Sequence, residues 1–198
     1  MAVMLGRALG EEAILLHVSE GRPPLDLLAA LYEVSSPLRE AGVVARLRTI
    51  QGKPAEQIVA EANRRRCRWV VMGTRGALDS PSSVAAAVMA RSSVPVLAIR
   101  PIENHREFHR VYLWARPRSQ APWAWDVAGL LAGLLGTRVE HHLDPCNTEM
   151  DGCPEDALMI LDVPRMPDPR VSATLRLERC PVLLVTRPGL GENAQGPV

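Results

Sequence analysis

The chain has 198 residues, a length that suits one large domain or two small ones of about 100–200 residues each. Its 23 basic residues against 22 acidic residues leave a formal net charge of +1, so bulk charge gives no argument for binding nucleic acid or an anionic membrane. The longest apolar stretch, residues 127–135, is well short of the ~20 residues that span a bilayer. We expect a soluble, cytoplasmic protein whose four cysteines are reduced.

The first hundred residues alternate between apolar runs of strand length and segments of helical spacing. Predicted strands cover residues 13–18, 43–50, 69–72 and 96–99, and predicted helices cover residues 25–38, 54–62 and 84–89. Pro37 predicts a break or a kink in the first helix. Arg46 and Arg48 share a face of the second strand and predict a half-exposed edge strand, whereas the third strand is expected to be fully buried. This alternation predicts an α/β protein with a doubly wound parallel sheet.

After a polar stretch at residues 103–107, the pattern begins again. Predicted strands cover residues 110–115, 138–143, 157–163 and 181–186, and a predicted helix covers residues 123–134 with Gly136 as its stop. Residues 94–101 (VPVLAIRP) recur as residues 180–188 (CPVLLVTRP). The sequence therefore predicts two tandem halves, 1–104 and 105–188. The second half is a shortened, degenerate copy of the first, and a disordered tail follows at 189–198.

A glycine turn follows the third predicted strand. The apolar run at residues 69–72 leads to Gly73 and Gly76, and the small hydroxyl residues Ser82 and Ser83 open the next helix. Glycine lets a backbone approach a phosphate closely, and a helix N-terminus supplies unpaired N–H donors. The order of strand, turn and helix makes an anion site physically feasible here.

Together with residues 9–18 and 52–58, this turn resembles the universal stress protein family over about the first hundred residues. The resemblance implies a universal stress protein-like, adenine nucleotide alpha hydrolase-like sheet. Nucleotide-binding members of the family hold phosphates with the glycine turn and the hydroxyl residues after it. By that resemblance, the candidate nucleotide-binding residues are Val18, Gly73, Gly76, Ser82, Ser83 and Val84.

Three departures from the family pattern weaken this assignment. The loop between Gly76 and Ser83 is shorter, Ser82 stands where the family has glycine, and the family's first strand, whose aspartate meets the ribose, has no counterpart before Ala13. We therefore expect no cofactor or weak ATP or AMP binding, and favour a plain strand-to-helix turn. In the second half, Asp162 and the residues after it replace the glycines, so no nucleotide pocket is expected there.

Two structural expectations follow from the resemblance. Family dimers often join their closing strands edge to edge, so we expect residues 96–99 and 182–185 to meet in an intramolecular pseudo-dimer of the two halves. Because the family's first strand is missing, we expect the first sheet to close up, by pairing residues 13–18 with 69–72 or by inserting residues 110–115. A central row of unpaired backbone groups would instead indicate an incomplete chain.

Other groups of polar residues give weaker evidence of function. The basic run at residues 64–68 lies at a predicted helix end without interleaved aromatic residues, which favours a solvated surface. The one cluster with metal-ligand chemistry comprises His141, His142, Asp144, Cys146 and Cys153. Its spacing matches no zinc-site pattern, so we expect no metal. No nucleophile, general base or paired-carboxylate motif stands out, so we do not expect an enzyme.

The sequence thus predicts a non-enzymatic stress-response or regulatory protein that acts through protein interactions. Its expected contacts are the pseudo-dimer of its halves, a homodimer and an unidentified protein partner, without nucleic acid or membrane insertion. Two alternatives stay open. One is an ATP- or AMP-binding switch of the same fold, which a ligand-induced rise in melting temperature would distinguish. The other is a cytosolic regulatory module related to a membrane transporter, since this fold is also appended to transporters.

Overall fold

The computed structural model describes residues 2–22, 26–74, 83–99, 109–142, 156–163 and 182–186. The chain divides into two compact units, Met1–Glu61 and Ala62–Val198. The predicted boundary between the halves at residues 104–105 lies outside the described residues, as does the predicted tail at residues 189–198.

The first unit contains a pair of parallel strands with helices around them. Its elements are α1 (Ala2–Leu9), β1 (Ala13–Ser19), α2 (Leu27–Glu40), β2 (Ala45–Gln51) and most of α3 (Pro54–Arg64). The two strands pair in one register, from Ala13 opposite Ala45 to Ser19 opposite Gln51. Within the described ranges, β2 has no other strand neighbour, so the predicted edge strand is confirmed. Arg46 and Arg48 on it form ion pairs with Glu12 and Glu61.

Helix α2 runs without interruption through Pro37, so of the two predicted alternatives, a break or a kink, the break is wrong. Pro37 stands in the last turn of the helix, which ends at Glu40. A proline lacks the N–H that would bond to the preceding turn, but this loss so close to the end leaves most of the helix intact. The carbonyl of Pro37 still accepts a hydrogen bond from the N–H of Ala41, at 3.2 Å.

The second unit is built on a six-stranded sheet. Its elements are β3 (Val70–Gly73), α4 (Val84–Arg91), β4 (Val96–Ile99), β5 (Arg110–Trp114), α5 (Pro122–Leu135), β6 (Val139–His142), β7 (Ala157–Val163) and β8 (Val182–Thr186). The strand order is β3-β4-β8-β7-β5-β6, and every neighbouring pair is parallel except β4 and β8. Every residue of β7 and β8 is buried, which places the core at the centre of the sheet. Helix α5 packs against β5, β6, β7 and β8.

The closing strands of the internal repeat meet at the antiparallel junction of β4 and β8. The paired residues are Leu97 and Val185, Ala98 and Leu184, and Ile99 and Leu183. Ala98 therefore faces Leu184, its own counterpart in the repeat. On either side of this pair, Leu97 faces the counterpart of Ile99, and Ile99 faces the counterpart of Leu97. This is the register that a two-fold axis through the junction would produce. The predicted edge-to-edge contact of the two strands is present.

Neither predicted way of closing the first sheet is found. In the described part of the chain, β1 pairs with β2 alone and β3 pairs with β4 alone, while β5 lies between β7 and β6. β5 already has a parallel neighbour on each side, so no edge of it is left for another sheet. The expectation of a fully buried strand at residues 69–72 is also wrong, because β3 is an edge strand on which Val71 and Gly73 are exposed.

Candidate functional site

Three of the candidate nucleotide-binding residues lie in one strand-to-helix connection of the second unit. Gly73 is the last residue of β3, Ser83 is the N-cap of α4, and Val84 is the first residue of that helix. The Ser83 hydroxyl oxygen accepts a hydrogen bond from the backbone N–H of Ala86 at 3.3 Å. This bond satisfies one of the N–H groups that a helix leaves unpaired at its start.

The other three candidate residues lie in the first unit or outside the described residues. Val18 is a half-buried residue of β1 and belongs to the first unit. Gly76 and Ser82 lie outside the described residues. The structure therefore describes only one part of the predicted site, at the end of β3 and the start of α4.

Among the described residues, none fills the space beside Gly73. A Cβ atom built on this residue meets no neighbouring heavy atom of the described chain within 4 Å. Its backbone is not among the glycines with positive φ, so the turn does not require a glycine for conformational reasons. The next residue, Thr74, is fixed by its N–H, which donates to the carbonyl of Ile99 at 2.8 Å. A glycine that no described residue covers allows the close approach that a phosphate oxygen needs.

A cavity of about 380 Å³ lies elsewhere, in the first unit. It is lined by Gly6, Arg7, Gly10, Glu11, Glu12, Ala41, Gly42, Val43 and Val44. These residues precede β1 and β2, so the cavity is at the amino ends of these strands, whereas Val18 lies near the carboxyl end of β1. None of the candidate nucleotide-binding residues lines this cavity.

A polar cluster that the sequence analysis did not assign lies at the carboxyl ends of β5 and β7. The Arg116 Nε donates to the Asp162 Oδ2 at 2.8 Å. The carbonyl of Arg116 accepts a hydrogen bond from the indole N–H of Trp125 at 3.2 Å, and the His141 Nε2 lies 3.1 Å from the carbonyl of Ala115. The rings of Trp125 and His141 are 4.4 Å apart. These contacts hold the segment that carries Arg116 against α5 and β6.

One sequence signal could have indicated this cluster. Arg116 follows the predicted strand at residues 110–115, and Asp162 lies at the end of the predicted strand at residues 157–163. Opposite charges at the carboxyl ends of parallel strands meet when the strands are neighbours, because those ends share one edge of the sheet. The sequence does not show that β5 and β7 are neighbours, and this pairing is known only from the structure.

The comparisons with known proteins agree with this architecture. The model of the universal stress protein family matches residues 1–100, which is half of the chain. The chain belongs to the universal stress protein family. Family membership makes it a stress-response protein. Among curated proteins, none matches the sequence.

Solved structures resemble this universal stress protein in fold. One from Archaeoglobus fulgidus DSM 4304, itself a universal stress protein, gives a TM-score of 0.62 at 14% identity, covering 94% of this chain and 92% of that chain. A protein of unknown function from Pseudomonas aeruginosa PAO1 gives a TM-score of 0.63 at 14% identity, covering 94% and 86%. The predicted α/β fold class is thereby confirmed.

The two adjacent histidines of this universal stress protein have different surroundings. His142 stacks on Tyr112 with ring centres 5.2 Å apart, whereas His141 contacts Trp125 of α5. Neighbouring residues of a strand point to opposite faces, which accounts for the separation. The described residues hold no group of three or more side chains suited to a metal ion. The other members of the predicted cluster, Asp144, Cys146 and Cys153, lie outside them.

No helix in the described ranges is both long enough and apolar enough to cross a membrane.

Tyr112 on β5 should titrate above its usual range. It lies opposite Glu140 of β6, and the hydrogen bond that its hydroxyl donates to that carboxylate raises the pKa of the phenol, with a further rise from burial. The hydrogen bond stabilises the fold at pH values below the unfolded-state pKa, and this contribution is lost as pH rises through the folded-state pKa.

This shift can be measured from the ultraviolet absorbance of tyrosinate during a pH titration, with Tyr112→Phe identifying the signal. The Glu140→Gln variant should lower the Tyr112 pKa, because the carboxylate charge is removed while the side-chain shape is kept. An unchanged titration in Glu140→Gln would mean that the carboxylate does not cause the shift.

Proposed function

We propose that this universal stress protein is a non-catalytic regulator that binds a protein partner through α2. The observation that carries the proposal is a pair of large, exposed side chains on this helix, Leu28 at 69% and Tyr32 at 56% exposure. They are four residues apart and so share one face of the helix. The Arg39 guanidinium lies 3.9 Å from the centre of the Tyr32 ring. Tyrosine and arginine are the residue types enriched at the energetic centres of protein interfaces.

The junction of β4 and β8 supports an intramolecular pseudo-dimer as the framework for this role. Its symmetric register is what two copies of one strand would adopt across a two-fold axis. The buried strands Val96–Ile99 and Val182–Thr186 cover each other's hydrogen-bonding edges at this junction, which removes a template for unwanted pairing. A homodimer would then have to use a different surface.

The partner site can be tested by site-specific photocrosslinking in the native host. Benzoylphenylalanine in place of Tyr32 should yield a discrete crosslinked protein, identified by mass spectrometry. The Leu28→Ser change should reduce its yield about tenfold, as expected when one central contact of a small interface is lost. The control position is Leu134, another exposed leucine, on α5. The same crosslinked protein at both positions, or a yield unaffected by Leu28→Ser, would contradict the proposal.

A second candidate function is a nucleotide switch, and the space beside Gly73 that the described residues leave open favours it. If ATP or AMP binds, the end of β3 and the N-terminus of α4 would hold its phosphates. The shortened loop and the missing ribose partner remove two or three contacts, each worth on the order of 1 kcal/mol. Binding should therefore be about ten- to a thousand-fold weaker than in an intact family pocket.

Thermal unfolding with ATP or AMP distinguishes the two functions, since a ligand that binds only the folded state raises the melting temperature. As a switch, the protein should show a rise at millimolar nucleotide that Gly73→Ala diminishes, because the added methyl group occupies the open space. Without nucleotide, Gly73→Ala should unfold like the original protein. The Gly76→Val change should abolish residual binding in calorimetry. No rise in the original protein, or equal rises in all forms, would exclude this site.

A further inference from the structure

A strongly basic surface lies at the amino edge of β3 and β4 in the second unit. The segments that lead into these strands meet there, because the strands are parallel neighbours that begin opposite each other, at Val70 and Val96. The side chains of Asn63 and Ser93, one from each segment, form a hydrogen bond. The two segments carry exposed arginines, named here the arginine surface: Arg64, Arg65, Arg66, Arg68 and Arg91.

The two segments contain no acidic residue of their own that would offset this charge. The described residues 62–74 and 83–99 include these five arginines and no aspartate, glutamate or lysine. In the whole chain, by contrast, basic residues exceed acidic residues by only one, so positive charge is unevenly distributed along the sequence. A local concentration of one sign of charge attracts ligands of the opposite sign and raises their rate of association.

Helix ends account for only part of the arginine surface. α3 ends at Arg64 and α4 ends at Arg91, where a positive side chain offsets the negative end of the helix dipole. Arg66 and Arg68 lie beyond the end of α3, and the effect of the dipole is confined to the last turn of a helix. The helix dipole therefore does not explain why these two positions are arginine.

Arg66 also has a backbone conformation that is unfavourable for arginine. Its φ is 53°, and among the described residues it is the only non-glycine residue with a positive φ. Two hydrogen bonds fix the turn, from the Arg66 N–H to the carbonyl of Asn63 at 3.0 Å and from the Cys67 N–H to the carbonyl of Ala62 at 2.9 Å. Glycine commonly follows a helix in this conformation and has no Cβ to clash. Backbone strain of this kind is concentrated at binding and switch sites.

We propose that the arginine surface binds an acidic segment of a partner protein, a run of aspartate and glutamate residues. Every basic residue of the surface is an arginine, whose planar guanidinium pairs with a carboxylate through two parallel hydrogen bonds. A domain that binds nucleic acid is usually basic as a whole, whereas this chain has a net charge of +1. The surface belongs to the second unit and does not depend on the proposed contact at α2, which belongs to the first.

The probe is fluorescein-labelled octaglutamate, titrated with the full chain and observed by fluorescence anisotropy. It should bind, and octaglutamine should bind at least about tenfold more weakly, because its amides form no charge-assisted hydrogen bonds with arginine. Added salt should weaken the binding of octaglutamate, since exposed charges are screened. Absence of octaglutamate binding, or equal binding of the two peptides, would overturn the proposal. So would tighter binding of oligodeoxythymidine or of phosphatidylglycerol vesicles, which would assign the surface to nucleic acid or to a membrane.

Arg66 offers a variant that separates binding from folding. Arg66→Gly removes the guanidinium and the steric strain together, so octaglutamate affinity should fall about three- to fivefold while the midpoint of urea unfolding rises. The control is Arg118→Gly, where the arginine forms an exposed ion pair with Asp126 away from both segments, and the affinity should not change. An unchanged affinity in Arg66→Gly, or equal losses in the two variants, would overturn the assignment. The comparison of peptides on the original protein is independent of any variant.

Discussion

Truncating Leu183 to alanine should destabilise the protein by about 2–5 kcal/mol, the usual range for a buried leucine. Leu183 is 0% exposed and lies in β8, opposite Ile99 of β4 and Ile160 of β7. The truncation leaves a cavity at the strand that joins the two parts of the sheet. The interior around it is close-packed and relaxes only partly, so the lost contacts are not replaced. The expected result is a lower midpoint in urea unfolding followed by circular dichroism.

The control for this prediction is Leu134→Ala, the same chemical change at a position that is 40% exposed. It should alter the unfolding free energy by no more than about 0.5 kcal/mol. Equal midpoints for the two variants would mean that β8 does not lie in the core. That outcome would also remove the support for an intramolecular pseudo-dimer, because the junction of β4 and β8 depends on this strand.

Local sequence pattern predicted the strands well and their neighbours poorly. The mainly apolar run at residues 157–163 forms β7 over those same residues, since a short run of this kind favours a buried strand. Residues 69–72 have the same apolar character, yet β3 lies at the edge of its sheet. A strand's own residues do not specify its position in a sheet, which depends on packing with distant segments.

The residues of the candidate sites also differ in whether the sequence alone could identify them. Gly73 and Ser83 could be identified from the sequence because a turn and the helix after it are adjacent in the chain. Arg116 and Asp162 are separated by 46 positions, and no local motif connects them. Their contact depends on the reversal of strand order between β5 and β7, which is a property of the whole second unit.

Removing the carboxylate of Asp162 should be among the most destabilising single changes in the second unit. The Asp162→Leu variant leaves the Arg116 guanidinium, whose side chain is 25% exposed, without its only ion-pair partner among the described residues. Loss of one member of a buried pair costs several kcal/mol because the other charge stays desolvated. The partial exposure of Arg116 puts the expected loss near the lower end of that range, at about 3 kcal/mol.

Two further variants separate this effect from the loss of a side chain in general. Asp126→Leu breaks the exposed pair with Arg118, whose side chains are 61% and 71% exposed, and should cost less than about 1 kcal/mol. Adding Arg116→Met to Asp162→Leu should restore most of the lost stability, since two apolar side chains replace two charges. Urea unfolding measures all of these. A double variant no more stable than Asp162→Leu would show that the unpaired arginine charge is not the cause of the loss.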